Sequence, residues 1–478
     1  MRAGEEFSLA RLPSQLERYL ADPAQFKRLH TIYYDSEDLR LARWACGLRY
    51  RVGEGWTLKI LRPRSGAGGA IERKEYTFKD DSGDVPQKAL DLARGYLRGA
   101  AVAPVIELRT VRTKRTIRPR AEADAVAEVD EDDVAVVDGT EIKRRFKQVE
   151  IEALNGSAGI LDEIRAALCR TGVGPLDPLP KNVRALEGDL EPELPRRSLR
   201  RRSSPAQAFA VAFSSAAEQL VRLDAALRAE DDADVLHEIR TAVRRLRAYL
   251  RDFRPTLDRD WAEALRERLG WLNRLLAKAR NTDVLLETLK SAARALEPTD
   301  AQAAPKLIDR IASERNRAYE AVHSGLREQR YAALLDDVIA AARAPVVRSL
   351  DKSQSKECSR KIVRGARRRL CRAVEEAAIP PAERDLHAIR IKAKHVRFVA
   401  EALTPIGAKR VRKLARSAKR LQKLLGEHHD SVMALRHLRD LARGSEQAFV
   451  AGEIAERSRR SAEDRRDAWR RALRDVVR

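Results

Sequence analysis

Residues 235–250 read VLHEIRTAVRRLRAYL, and their spacing decides how the C-terminal part of the chain folds. At about 100° per residue, His237, Arg240, Arg244, Arg247 and Arg251 fall within about 80° of one another on a helix, with Arg245 beside them. Ile239, Val243, Leu246 and Leu250 fall on the opposite side. The stretch is an amphipathic helix with one apolar face for a core and one basic face. Like charges at i,i+4 repel, so a solvated helix face ordinarily mixes signs. A stripe of a single sign points to a polyanionic partner.

The stretch has an echo. Residues 385–400 read DLHAIRIKAKHVRFVA, which sets His387 under His237, Arg390 under Arg240, Lys394 under Arg244 and Arg397 under Arg247. Downstream, LLAKARNTDVL (275–285) is similar to KLLGEHHDSVM (423–433), with Asp430 set against Asp283. A period of about 150 residues is too long for a solenoid repeat. It predicts a duplicated helical bundle. From Pro205 onward the chain is rich in Ala, Leu and Arg at helical spacing, and breaks are expected at Pro255, Pro298, Pro305, Pro345, Pro380 and Pro405. His428, His429 and Asp430 are considered as a metal set. Adjacent histidines cannot share a helix face, so no metal is assigned to them.

The charge is distributed to match. The 478 residues carry 95 Lys plus Arg and 72 Asp plus Glu, a net +23. Residues 1–190 hold 32 basic and 31 acidic side chains, leaving 63 and 41 in residues 191–478, so that +22 of the excess lies in the C-terminal part. This asymmetry predicts two regions with different tasks.

The N-terminal part carries strand signals. HTIYYD (30–35), GLRYRV (47–52), WTLKIL (56–61), KEYTFK (74–79), PVIELRTVRTKRTIR (104–118), AVAEVD (125–130), DVAVVDG (133–139) and FKQVEIEAL (146–154) are rich in β-branched or aromatic residues. Charged and apolar residues alternate within them, so each strand has a charged face, which is solvent in a sandwich and lumen in a barrel or tunnel. GILDEIRAALCRTG (159–172) reads as one helix. GDLEPELPRRSLRRRSSPAQ (188–207), with three prolines and an acidic-to-basic switch, is the best linker. The expected organisation is a tunnel-like domain at 1–187, a linker at 188–204 and a helical domain at 205–478.

Aromatic residues are 5% of the chain, too few for base-stacking platforms, and no zinc-finger, RNA-recognition or helix-turn-helix pattern is present. A partner read by charge alone fits better. Inorganic polyphosphate offers closely spaced anionic groups and no bases, and Arg forks match its oxygens. Nucleic acid and anionic membranes rank below it. Cys46, Cys169, Cys358 and Cys371 form no CxxC pair and fit reduced thiols. No signal-peptide pattern or membrane-length apolar run occurs, so a cytoplasmic location is expected; association with polyphosphate granules would follow only from polyphosphate binding.

The repeats LHEIRTAVRRLR and LHAIRIKAKHVR, with their Asp-containing segments, resemble the CHAD domain, an all-helical duplicated bundle that binds inorganic polyphosphate. The resemblance covers roughly residues 200–478. It implies a polyphosphate site made of His237, Arg240, Arg244, Arg245, Arg247, Arg251, His387, Arg390, Lys394 and Arg397, with no cofactor. The N-terminal stretches YYDSEDLRLARWACGLRYRVGEGWTLKIL, RKEYTF, ELRTVRTKRT and QVEIE are similar to the CYTH domain, or triphosphate tunnel fold. That resemblance implies an antiparallel tunnel of eight strands. Arg49, Arg51, Lys59, Arg73, Arg112, Lys114, Arg115 and Lys181 would grip a triphosphate-type small molecule. Glu128, Glu150 and Glu152 would hold Mg²⁺ or Mn²⁺, hard ions suited to carboxylate oxygens. Together the resemblances make the fold class α+β in two domains: an N-terminal antiparallel β-tunnel and a C-terminal all-α duplicated bundle.

One departure weighs on the tunnel. The family's first strand carries Glu-x-Glu-x-Lys, whereas AGEEFSLA (3–10) and its flanks place Arg2, Gly4 and Glu6 at those sites. The expected metal site is therefore weakened, and an inactive tunnel is favoured over a triphosphatase. No catalytic residue is assigned. If the tunnel is active, metal-dependent hydrolysis of inorganic triphosphate is the implied reaction, ahead of thiamine-triphosphatase or adenylate cyclase chemistry. The alternative is a non-enzymatic scaffold or granule-associated binding protein.

Overall fold

The computed structural model describes residues 1–9, 19–61, 73–79, 83–119, 124–154, 158–177, 179–186, 190–294, 304–407, 409–442 and 468–477. Pro298 and the side chains of His429 and Asp430 lie outside the described residues. The chain forms two compact units, Met1–Glu193 and Leu194–Arg478.

In the first unit the strands are β1 (Arg2–Ala3), β2 (Tyr19–Ala21), β3 (Gln25–Asp35), β4 (Gly47–Arg51), β5 (Gly55–Leu61), β6 (Arg73–Phe78), β7 (Ala103–Pro119), β8 (Ala127–Asp138) and β9 (Glu141–Ala153). They pair in the order β1-β9-β8-β7-β3-β4-β5-β6, with β2 added along β7. Neighbours are antiparallel. The two runs expected at 125–130 and 133–139 are one strand. Glu131 and Asp132, the acidic gap between those runs, continue β8 opposite Thr113 and Arg112 of β7. The basic residue across the ladder supplies the charge partner that keeps this acidic run extended.

Strand alternation gives the sheet two faces. On the outer face Ile117, Val129 and Val149 pack with Ile164, Ala167 and Leu168 of α3 (Ala158–Cys169). Two further helices lie in this unit, α1 (Arg40–Arg43) and α2 (Gln87–Leu97). Trp44 after α1 meets Tyr96 of α2, with ring centroids 5.9 Å apart. On the inner face one end is apolar: Tyr33, Leu108 and Val134 close around Ala185 of α4 (Lys181–Ala185). Gly47 admits α4, because a Cβ there would meet the Asn182 amide at 3.2 Å. The rest of the inner face is charged.

Residues 190–193 of the expected linker belong to this unit. Glu193 is 4% exposed and is held by Arg43 at 2.7 Å and Arg98 at 3.1 Å.

The second unit is helical: α5 (Pro205–Ala229), α6 (Ala233–Asp252), α7 (Arg259–Ala293), α8 (Ala304–Arg327), α9 (Gln329–Arg343), α10 (Lys352–Glu375), α11 (Glu383–Leu403), α12 (Lys409–Ala442) and α13 (Ala468–Val477). Ser204 and Gln207 form a capping box at α5, with Pro205 at the first helical position. Pro305 likewise sits in the first turn of α8, so it opens a helix where a break was expected. The repeat is visible as packing. α6 lies between α5 and α7, α11 lies between α10 and α12, and the two sets meet through α6 with α11 and α7 with α12.

Candidate anion-binding sites

The apolar faces read from the repeats are buried: Leu236, Ile239, Val243 and Leu246 on α6, and Leu386, Ile389, Ala393 and Val396 on α11. Burying both faces turns the basic stripes toward each other. Lys394 is their meeting point. It is 8% exposed, and burial depresses its pKa far below the ordinary lysine value, with Arg244, Arg390, Arg240 and Arg397 adding to the depression. His237 and His387 stand at the rim of the same cluster. Partial burial lowers both imidazoles, and neighbouring cations lower them further: Arg280, Lys394, Arg244 and Arg240 for His237, and Arg390 and Arg244 for His387.

Aromatic faces help to hold these cations together. Phe398 has the Lys394 ammonium 5.2 Å from its ring centre, the Arg245 guanidinium at 5.5 Å and the Arg397 guanidinium at 6.0 Å. Arg280 on α7 joins the cluster without having been anticipated.

The stripes do not act as one row. Arg245 and Arg397 turn to Glu401, at 3.5 and 2.6 Å. Arg247 leans on α7, where its Nε donates to the Arg266 carbonyl at 3.4 Å. Arg251 lies at the far end of α6 beside Asp252. Asp283, matched to Asp430 in the repeat, is a buried structural acid held by Arg315 at 2.7 Å and by the Tyr319 hydroxyl at 3.0 Å. His428 pairs with Glu383 at 3.0 Å.

In the first unit, register places Arg49, Arg51, Lys59, Arg73, Arg112 and Lys114 on the inner face with Glu128, Asp130, Asp132, Glu150 and Glu152. The sheet curls, because the charge of Lys59 on β5 reaches Glu150 on β9, five places away in strand order. Arg115 is not on this face. One residue from Lys114, it points outward, and its guanidinium donates to the carbonyls of Leu9 at 2.7 Å and Asp22 at 3.2 Å. Lys181 reaches in from α4 and bonds Asp132 at 2.5 Å. Arg49 is buried and has no ion-pair partner among the described residues, and its Nε lacks a hydrogen-bond acceptor.

A family model of the CYTH domain matches residues 2–170, and one of the CHAD domain matches residues 211–439. The chain is a CYTH domain followed by a CHAD domain. Two uncharacterized proteins of Mycobacterium tuberculosis, MT2285 and Rv2226, are each 28% identical over 479 residues, covering 94% of this chain and 90% of their own. Among solved structures, the CHAD domain from the plant Ricinus communis is 23% identical with a TM-score of 0.47, over 59% of this chain and 95% of its own. PptA from Streptomyces chartreusis is 22% identical with a TM-score of 0.47, over 57% of this chain and all of its own. No described helix is long and apolar enough to cross a membrane.

CYTH domains are typically metal-dependent, so the fit of a divalent ion can be tested on the carboxylates present. They do not fit one. Lys114 takes Glu128 at 2.6 Å, and Arg112 takes Asp130 at 2.5 Å and Asp132 at 2.8 Å. Glu150 accepts from Gln148 at 2.8 Å, and Glu152 is exposed at the strand end. Among the described residues no three acidic, His or Cys side chains converge on a point that could hold a metal ion. The expected first strand also ends early. β1 stops at Ala3 and Gly4–Phe7 turns back, so Arg2 alone of the three motif sites lies in the sheet, opposite Gln148.

The CYTH carboxylates divide by environment. Burial opposes ionisation of Asp132, but Lys181 and Arg112 override it and hold its pKa down at about 2. Burial together with Asp132 and Glu150 pushes Asp130 up to about 6, against Arg112. A carboxyl raised on folding adds stability below its unfolded pKa, and that stability is lost as pH rises through the folded pKa. Asp130 should therefore contribute a loss of stability between about pH 4 and pH 7, and Asp130→Asn should remove that contribution. Hydrogen exchange of the β8 amides at pH 4.5 and 7.5 checks this. An equal decline in the variant would assign the effect elsewhere.

Proposed function

We propose that this protein binds inorganic polyphosphate through its CHAD unit, and a triphosphate-type anion through its CYTH unit without turning it over. The observation that carries the reading is the burial of Lys394 on α11 with Arg244, Arg390, Arg240 and Arg397 near enough for their charge to act on it. An anion that approaches such a group of cations offsets their mutual repulsion. A phosphate chain supplies closely spaced negative charge at the required density. Both domain families are linked to polyphosphate or triphosphate binding, in agreement with this reading.

For the CYTH unit, buried and unpaired Arg49 supports anion binding, and the ion-paired carboxylates support binding over metal-assisted hydrolysis. A location at polyphosphate granules would follow from the CHAD activity.

Competition tests the assignment. Labelled long-chain polyphosphate bound to the full chain should resist duplex DNA at equal phosphate concentration, with a steep salt dependence from counterion release. Displacement by DNA would transfer the reading to nucleic acid. Triphosphate binding should persist in EDTA. Turnover with Mg²⁺ or Mn²⁺ that Lys59→Ala or Glu150→Ala abolishes would replace the binding role with an enzymatic one.

A further inference from the structure

The C-terminal end of α6 borders a cavity of ≈ 340 Å³ that the stripe cluster does not use. Arg251, Arg254, Lys361 and Arg369 line it, with Asp252 as the one acidic residue in its wall. Arg251 lies eleven residues beyond Arg240 on the same helix, about 16 Å along the axis. None of the arginines that act on Lys394 is among the residues lining this cavity.

Its charge is unbalanced by construction. Asp252 is fully buried and already committed: its Oδ1 accepts from Arg369 at 2.8 Å and Arg251 at 3.1 Å, and its Oδ2 pairs with the His395 Nδ1 at 2.6 Å. Glu263 takes Arg254. Burial lowers the pKa of Lys392 on α11, and the charges of Arg251 and Arg369 lower it further. Arg251 retains a buried Nη2 with no hydrogen-bond partner. Among the described residues Lys361 has no ion-pair partner. Gly365, one turn before Arg369 on α10, leaves the wall open, where a Cβ would stand 3.5 Å from the Arg369 Nη1.

We propose that this cavity is a second anion site, built for a compact phosphate-type polyanion: free pyrophosphate, or the end group of a longer phosphate chain. Arg forks supply paired donors to phosphoryl oxygens, and Lys361 adds a mobile point charge. The committed Asp252 fixes Arg251 and Arg369 in place and leaves the remaining donors to the ligand. The volume admits a small ligand and not a folded polymer.

Acetylation footprinting of the full chain tests the proposal, with inorganic pyrophosphate in EDTA as the probe. Pyrophosphate should slow modification of Lys361 by about five-fold or more at saturation, while sulfate at equal ionic strength should not. Gly365→Leu fills the cavity without removing a charge and favours the helix, so it should stay folded and lose the protection. Arg369→Gln should weaken the protection independently. Unchanged labelling of Lys361, or equal protection in Gly365→Leu, would overturn the site.

Two arms distinguish the sources of the ligand. Protection by long-chain polyphosphate that disappears when Arg240, Arg244 and Arg390 are reversed marks a chain end delivered from the stripe. Protection by pyrophosphate alone marks a free small ligand. Failure at Lys361 leaves the stripe reading untouched, because that reading is measured on different residues.

Discussion

Replacing Arg240, Arg244 and Arg390 together by glutamate should weaken binding of long-chain polyphosphate at least about a hundred-fold, roughly 2.7 kcal/mol, with helix content unchanged. These arginines all act on Lys394, and they come from both halves of the repeat. Removing them eliminates fork-type donors, and reversing them adds repulsion to every phosphate that approaches. The apolar face of α6 is untouched, since Ile239, Val243 and Leu246 remain buried. The salt dependence of whatever binding remains should be shallower, because fewer counterions are released. Lys394 should become easier to protonate once its like-charged neighbours are gone. Binding isotherms at two salt concentrations and far-ultraviolet circular dichroism check these outcomes. Unchanged affinity would refute the joined-stripe site.

The second large effect lies in the CYTH unit. Asp132→Ala should destabilise that unit by roughly 3–5 kcal/mol, the usual consequence of stranding buried charges. Asp132 is fully buried and holds both Arg112 and Lys181. Its loss leaves those cations facing each other. The sign with pH is opposite to that of Asp130. The depressed pKa of Asp132 means that its contribution is present above about pH 4 and is lost as pH falls toward about 2. Hydrogen-exchange protection of the β7, β8 and β9 amides measures the change, and a loss below about 1 kcal/mol would show that Arg112 and Lys181 find other partners.

What was legible in the sequence follows from which contacts are local. Helical spacing alone placed Arg240, Arg244, Arg390 and Lys394 on common faces, and the duplicated bundle followed from their match. Arg280 was not legible, because its approach to His237 depends on how α7 packs against α6. The strand period of two already separates Arg115 from Arg112 and Lys114, so that outward residue could have been excluded from parity. Asp132 was missed because it falls in the gap between the runs 125–130 and 133–139 until the facing Arg112 is known, and Asp130, at the end of the first run, was not picked out as an inner-face acid. Helix α2 also went unread, although Leu92, Ala93 and Tyr96 have helical spacing. The ion pairs that occupy the tunnel carboxylates join residues up to about fifty positions apart, and no spacing rule reaches that far.

The contacts between α6 and α11 have one further consequence. Positions 245 and 395 are equivalent in the repeat, and each reaches a carboxylate on the opposite helix: Arg245 to Glu401, and His395 to Asp252. Contacts of this kind, one residue short of exact reciprocity here, are how a twofold dimer holds itself together. The helical unit is thus a tethered pseudo-dimer, and either half expressed alone would present a surface complementary to its own copy. The two clasps differ in chemistry. The arginine clasp is indifferent to acidity in the physiological range, whereas the imidazole clasp is not, since burial opposes protonation of His395 while Asp252 favours it.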